Sequence, residues 1–129
     1  MRFWLLILFV ATISASEIGG ISEIRGNGEI TRVDSSEALT AELNSDIFSY
    51  DDVRTGKGRL AIQFLDDSVV KLTEHSKLII DEYIFDPDPS KSKMALNMAS
   101  GTARFITGKL GRINKQNISI KTPTATIGI

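Results

Sequence analysis

Apolar residues on every second position, in short runs broken by turn-forming residues, constrain this chain more than any other feature. Leu60, Ile62 and Phe64 alternate with Ala61 and Gln63, and Val70 and Leu72 flank Lys71. Leu78 and Ile80 oppose Lys77 and Asp81, while Met94, Leu96 and Met98 alternate with Lys93 and Asn97. Ile118 and Ile120 repeat the pattern, as do Ala125, Ile127 and Ile129 against Thr124, Thr126 and Gly128. A period of two is that of a strand with one buried face. Turn signals separate the runs: Arg25-Gly26-Asn27-Gly28, Thr55-Gly56-Lys57-Gly58, Asp66-Asp67-Ser68, Asp86-Pro87-Asp88-Pro89, Ser100-Gly101 and Gly108 to Gly111. Their spacing fits an all-β domain of short stacked strands, either a solenoid-like stack or a twisted β-sandwich. By parity Phe64 and Phe105 belong to the core.

One segment dissents. Ser35 to Asn44 (SSEALTAELN) opens on an N-cap serine and places Leu39 and Leu43 four apart, which predicts a single helical turn. So short a helix is marginal alone, and tertiary pairing can override it.

The chain has 129 residues and no cysteine, one domain's worth with no disulfide to staple it, so stability must come from packing. Residues 1–16 read as a secretory signal peptide and helix. Met1 and Arg2 supply the charge, Phe3 to Val10 the apolar run, and Ala11 to Ser16 the small residues for cleavage. Even Phe3 to Ile13 is too short to cross hydrocarbon, which takes about 20 residues. The expected mature unit is therefore 17–129, periplasmic or secreted, touching membrane only through an uncleaved signal segment.

Charge divides the mature chain. Between Glu17 and Asp88 lie all 16 acids against seven bases, a net charge of −9, and beyond Asp88 there are seven bases and no acid. Either the halves intermix on the surface, or the molecule carries a basic end that meets an anionic envelope surface or an acidic copy. Lys109, Arg112, Lys115 and Lys121 are the candidate interaction residues of that end. Nucleic acid is not expected, because Phe105 is the only aromatic among the late bases.

No catalytic constellation is legible. A cysteine nucleophile is excluded, and His75, the only histidine, sits in a turn-like stretch without a partner signature. Zinc draws on several His or Cys ligands, so no metal and no cofactor are expected. Asp66 and Asp67 read as turn residues rather than paired catalytic carboxylates. Asp81 to Asp88 clusters four carboxylates but lacks the glycine-bearing loop of calcium motifs, and reads as a solvated turn. Asn117-Ile118-Ser119 fits the glycosylation triplet, yet its isoleucine alternates as strand core. Phe48, Tyr50, Tyr83 and Phe85 are the aromatics that could form a stacking platform for a surface glycan.

From about Gly19 to the end, the succession DDVRTGKGRLAIQFLDDSVVKLTEHSKLIIDEYIFD, SGTARFITGKLG and ISIKTPTATIGI resembles the FecR domain of extracytoplasmic bacterial proteins. Four motifs in the family's order carry the resemblance: Thr55-Gly56, Asp66-Asp67-Ser68, Ser76-Lys77-Leu78 and Thr122-Pro123-Thr124-Ala125. It implies a stacked arrangement in which these turns are structural. Three departures stand out. Asp67 occupies a usual glycine position; a signal peptide stands where iron-uptake regulators carry a cytoplasmic arm and membrane helix; and ATIGI stops where the family continues into Arg-Gly-Thr. The last implies a truncated domain with an incompletely paired edge near Ile127 and Ile129, open to strand addition by another chain. The resemblance thus implies a non-enzymatic envelope module that binds an unknown protein or organises a signalling assembly. The alternative is a module for cell-wall glycan or another surface polymer.

Overall fold

The structure is a computed structural model describing residues 17–33, 35, 37–84, 91–108, 118–122 and 126–128. The signal segment, Phe85, Lys109, Arg112, Lys115, Pro123 and Ile129 lie outside them. Within them the chain is all-β, with ten strands: β1 (Gly19–Thr31), β2 (Ala38–Thr40), β3 (Asp46–Ile47), β4 (Asp52–Phe64), β5 (Val69–Leu72), β6 (Lys77–Ile84), β7 (Lys93–Ser100), β8 (Thr102–Ile106), β9 (Ile118–Lys121) and β10 (Thr126–Gly128).

All ten join one hydrogen-bonded sheet in the order β10-β8-β5-β4-β6-β7-β9, with β1 beside β4, and β2 and β3 beside β1. β4 shows how one sheet makes two walls. Along one edge it pairs with β1 throughout; along the other, Leu60 to Gln63 pair with β5 while Asp52 to Arg54 pair with β6. The sheet therefore forks. One wall holds β5, β8 and β10, and the other β6, β7 and β9. Residues of both walls, among them Val70 and Phe105 on one side and Leu78, Leu96 and Met98 on the other, surround one small interior void, so the walls face each other.

Each level of the structure is consequently a strand bent through an arch from one wall to the other. β1 bends near Gly26 and β4 near Thr55 to Gly58; β5 turns into β6 at Thr73 to Ser76, and β7 into β8 at Gly101. The β9–β10 level runs parallel to the β7–β8 level, whereas the earlier levels alternate in direction. The facing walls have the character of a sandwich, and the repeated arches that of a short stack.

Local chemistry sets the bends. Gly26 and Gly58 face each other at φ values of 82° and 143°, and a Cβ on either would fall within 2.1 Å of the other strand's carbonyl oxygen. Only glycine allows the two arches to nest so closely. The apolar rows then fill the space between the walls. Ile21, Ile30, Ile47, Val53, Leu60, Ile62, Phe64, Val70, Leu72, Leu78, Ile80, Leu96, Met98 and Phe105 are all buried. Each fully buried side chain of this size contributes about 1.5–3 kcal/mol.

The predicted helical turn in Ser35 to Asn44 does not form. Ala38–Thr40 is strand β2, with Leu39 opposite Ile30 of β1, and both Leu39 and Leu43 are exposed. The helical spacing of the two leucines serves no buried face, so pairing with the β1 edge prevails over local propensity. Among the described residues no helix is long and apolar enough to cross a membrane.

Candidate functional site

Two buried polar clusters hold the turns that carry the motif. At the arches, the Thr55 hydroxyl donates to the Thr73 carbonyl at 2.6 Å and accepts the Ser76 N–H at 2.9 Å. Ser76 is itself buried; its hydroxyl accepts the Thr102 N–H at 3.2 Å and reaches the Thr102 carbonyl at the same distance. A Cβ on Gly101 would lie 2.5 Å from the Ser76 Cα, so the next arch can sit over this serine only with glycine there. Gly56 accepts the His75 N–H at 3.0 Å. The side chains of Thr55 and Ser76 thus join three consecutive levels.

The second cluster lies where β4 leaves the sheet. The Asp66 carboxylate is fully buried and accepts hydrogen bonds from the Ser68 hydroxyl at 2.5 Å, the Ser68 N–H at 3.3 Å and the Tyr83 hydroxyl at 2.8 Å. The Asp66 N–H donates to the Tyr83 hydroxyl, and the Gly108 N–H to the Ser68 hydroxyl. Burial pushes the Tyr83 phenol well above its ordinary range, and the hydrogen bond with Asp66 adds to that rise. Its ring stacks on Phe64 with centroids 5.1 Å apart. Asp67 adopts a φ of 68°, so the position at which the family favours glycine does require the left-handed region.

Asp66 and Asp67 are therefore placed in a turn, one carboxylate buried and the other residue exposed. His75 is exposed on an arch with a φ of 52°. Asp81 and Glu82 are half-exposed on β6, with Glu82 paired to Lys93 at 3.3 Å, while Asp86 and Asp88 lie outside the described residues. Among the described residues no three of His, Cys, Asp and Glu gather as metal ligands would. Among the described residues the aromatic platform is not assembled either, and Phe85 lies outside them. Tyr83 is in the core, Phe48 lies beneath the Arg32 guanidinium at 4.4 Å, and Tyr50 is exposed.

The two ends of the stack are finished differently. At the β1 end, β2 and β3 pair along the free edge, and the Ala41 N–H donates to the Gly28 carbonyl at 2.8 Å. Arg32 fastens this end, donating to the Asp46 carbonyl at 3.0 Å with the buried Asp51 carboxylate 3.9 Å away. At the other end, β9 pairs with β7 and β10 with β8; among the described residues neither has a partner on its outer side. Ile118 and Ile120 are only half-buried there, and Lys121 and Thr122 are exposed. Of the late bases, Lys93 pairs with Glu82, whereas Arg104 lies opposite Lys71 on the outer face of the β5–β8 wall. Sequence spacing could not reveal that second juxtaposition, which depends on strand register.

The fold and its turns define a structural class: a stack of β-arches whose buried polar groups secure the bends. The family model described as FecR protein matches residues 51–129, which is more than half of the sequence, and the chain belongs to the FecR family. FecR proteins form a regulatory, signalling-related family associated with the bacterial envelope. The match begins at the start of β4, so β1 to β3 precede it although they share its sheet. No curated protein and no solved structure matches the chain.

Proposed function

We propose that this chain is an exported, non-enzymatic module of the bacterial envelope that holds a protein partner by strand addition along β9 and β10, serving signalling or assembly. One observation carries this reading: β1, fully paired with β4, is also covered at both ends of its outer edge, by β3 at Gly19 and Gly20 and by β2 at Glu29 to Thr31, whereas β9 and β10, among the described residues, are paired along one edge. An extended segment laid along such an edge gains main-chain hydrogen bonds for affinity and side-chain pockets for specificity. Membership in the FecR family supports a regulatory role in the envelope. The core position of Tyr83 and the cover over Phe48 favour a protein partner over a stacked glycan.

A photo-crosslinking residue at Ser119 in living cells, followed by mass spectrometry of the envelope fraction, tests the reading. A single stoichiometric protein adduct is the expected result. Recovery of wall fragments alone would replace it with the glycan-binding alternative.

A further inference from the structure

The outer face of the β5–β8 wall gathers bases from both charge halves of the sequence. Arg25 of β1 lies opposite Arg59 of β4, and Lys71 of β5 opposite Arg104 of β8, with Ala61 between Glu23 and Lys71. Adjacent strands are about 4.8 Å apart, so these long side chains overlap in reach. All four bases are exposed, as is Lys57 on the neighbouring arch. Among the described residues none of the five stands within 4.0 Å of a carboxylate. Two depressions run together beneath them. One, of 710 Å³, is bordered by Arg25, Lys57, Arg59 and Thr73; the other, of 230 Å³, by Arg59, Lys71, Thr73 and Arg104. Arg59 and Thr73 belong to both, which makes them one groove, and Ala61, 3% exposed, forms part of its floor.

We propose that this groove binds an extended acidic peptide segment of the partner protein, its carboxylates meeting Arg25, Arg59, Lys71 and Arg104. The inference rests on the protein-partner reading above but uses a different surface from the β9–β10 edge. Three of the four bases are arginines, whose planar guanidinium groups take carboxylates in a bidentate manner. Glu23 and Glu74 also line the groove. They would repel a uniformly charged polyanion along its length, whereas a peptide can place a base or an apolar residue opposite each. The small Ala61 floor leaves room for such apolar side chains.

The test uses fluorescence anisotropy with a labelled synthetic peptide in which Asp and Glu alternate with Val and Leu around one central Lys. Inorganic polyphosphate and vesicles of anionic phospholipid serve as competing probes. The peptide should bind more tightly than polyphosphate and weaken about tenfold or more as salt rises from about 0.02 to about 0.3 M, where the screening length falls below the reach of the groove. The double change Arg59→Glu with Lys71→Glu should also weaken it at least about tenfold, each charge-assisted hydrogen bond contributing on that scale. Lys91→Glu, an exposed base just ahead of β7 on the other wall, should leave binding unchanged, with circular dichroism and unfolding midpoints showing each variant folded. Equal or tighter binding of polyphosphate or vesicles would overturn the proposal. So would no binding of the peptide, or binding indifferent to the double change. In either of those last cases a protein adduct from Ser119 would leave the strand-addition reading standing, and loss of that adduct would count against that reading alone.

Discussion

The two ends of the stack are built from the same kind of arch and closed by different means. At the β1 end, two very short strands cover the edge, the Arg32–Asp51 contact fastens the turn behind them, and Ile47 is fully buried. At the β9–β10 end, the last level lies parallel to its neighbour, and Ile118 and Ile120 are half-exposed. Short edge strands are one of the ways proteins protect a sheet from unwanted pairing. A module that covers one end and, among its described residues, leaves the other uncovered has a direction along which a further strand can be added.

Changes at equivalent core positions should break that symmetry most clearly. Ile47→Ala at the covered end should cost about 3–4 kcal/mol in denaturant unfolding, because a fully enclosed site leaves a cavity. The half-exposed Ile120 at the other end should cost only about 1 kcal/mol when changed to Ala, since solvent already reaches part of it. Equal losses would mean that the β9–β10 end is as enclosed as the β1 end.

Tyr83→Phe should cost about 2 kcal/mol by leaving the Asp66 carboxylate short of a donor. It should also alter the pH dependence. Because the folded phenol ionises only well above its ordinary value, its contribution is fully present below about pH 10, the unfolded pKa, and declines as pH rises beyond it. Unfolding midpoints measured from about pH 8 to about pH 11 should fall less in the phenylalanine variant than in the parent.

Arg32→Ala should cost about 1–2 kcal/mol, through the lost contact with Phe48 and the uncovered Asp51 carboxylate. Its effect should be confined to the covered end: backbone amides of β2 and β3 should exchange faster while those of β7 do not.

Much of the architecture was legible as alternation. Leu60, Ile62 and Phe64 face the core as their parity requires, as do Leu78, Ile80, Leu96 and Met98, because a pleated strand gives each side chain only two directions. Ser35 to Asn44 departs from its local pattern, since leucines four apart indicate a helix only when that face is buried, and here both are exposed. Tyr83 is one of the four aromatics that could form a stacking platform, yet it lies in the core. Its odd place beside Phe85 gave no sign that its ring would stack on Phe64 and its hydroxyl reach a turn 17 residues earlier. The basic groove was invisible for a related reason: Arg25, Arg59, Lys71 and Arg104 are brought together by register across four strands, not by spacing along one.

The smallest expected effect sharpens the reading of the Asp66–Ser68 turn. Asp67 holds a φ of 68°, which costs a non-glycine residue about 1 kcal/mol. Asp67→Gly removes that cost but loosens the unfolded chain, two backbone effects that should cancel to within about 0.5 kcal/mol and leave any further loss as the measure of the side chain's own interactions. A larger loss would show that the Asp67 side chain contributes to the turn.

Hydrogen exchange on the isolated protein, resolved to individual amides, tests the difference between the two ends most directly. β4 and the amides of β1 bonded to β2, β3 or β4 should exchange only through global opening, while the outward-facing amides of Ile118 to Lys121 and Thr126 to Gly128 should exchange far faster under the same conditions. Protection along β9 and β10 equal to that of β1 would contradict the account, for it would mean that this edge is already closed before any partner arrives.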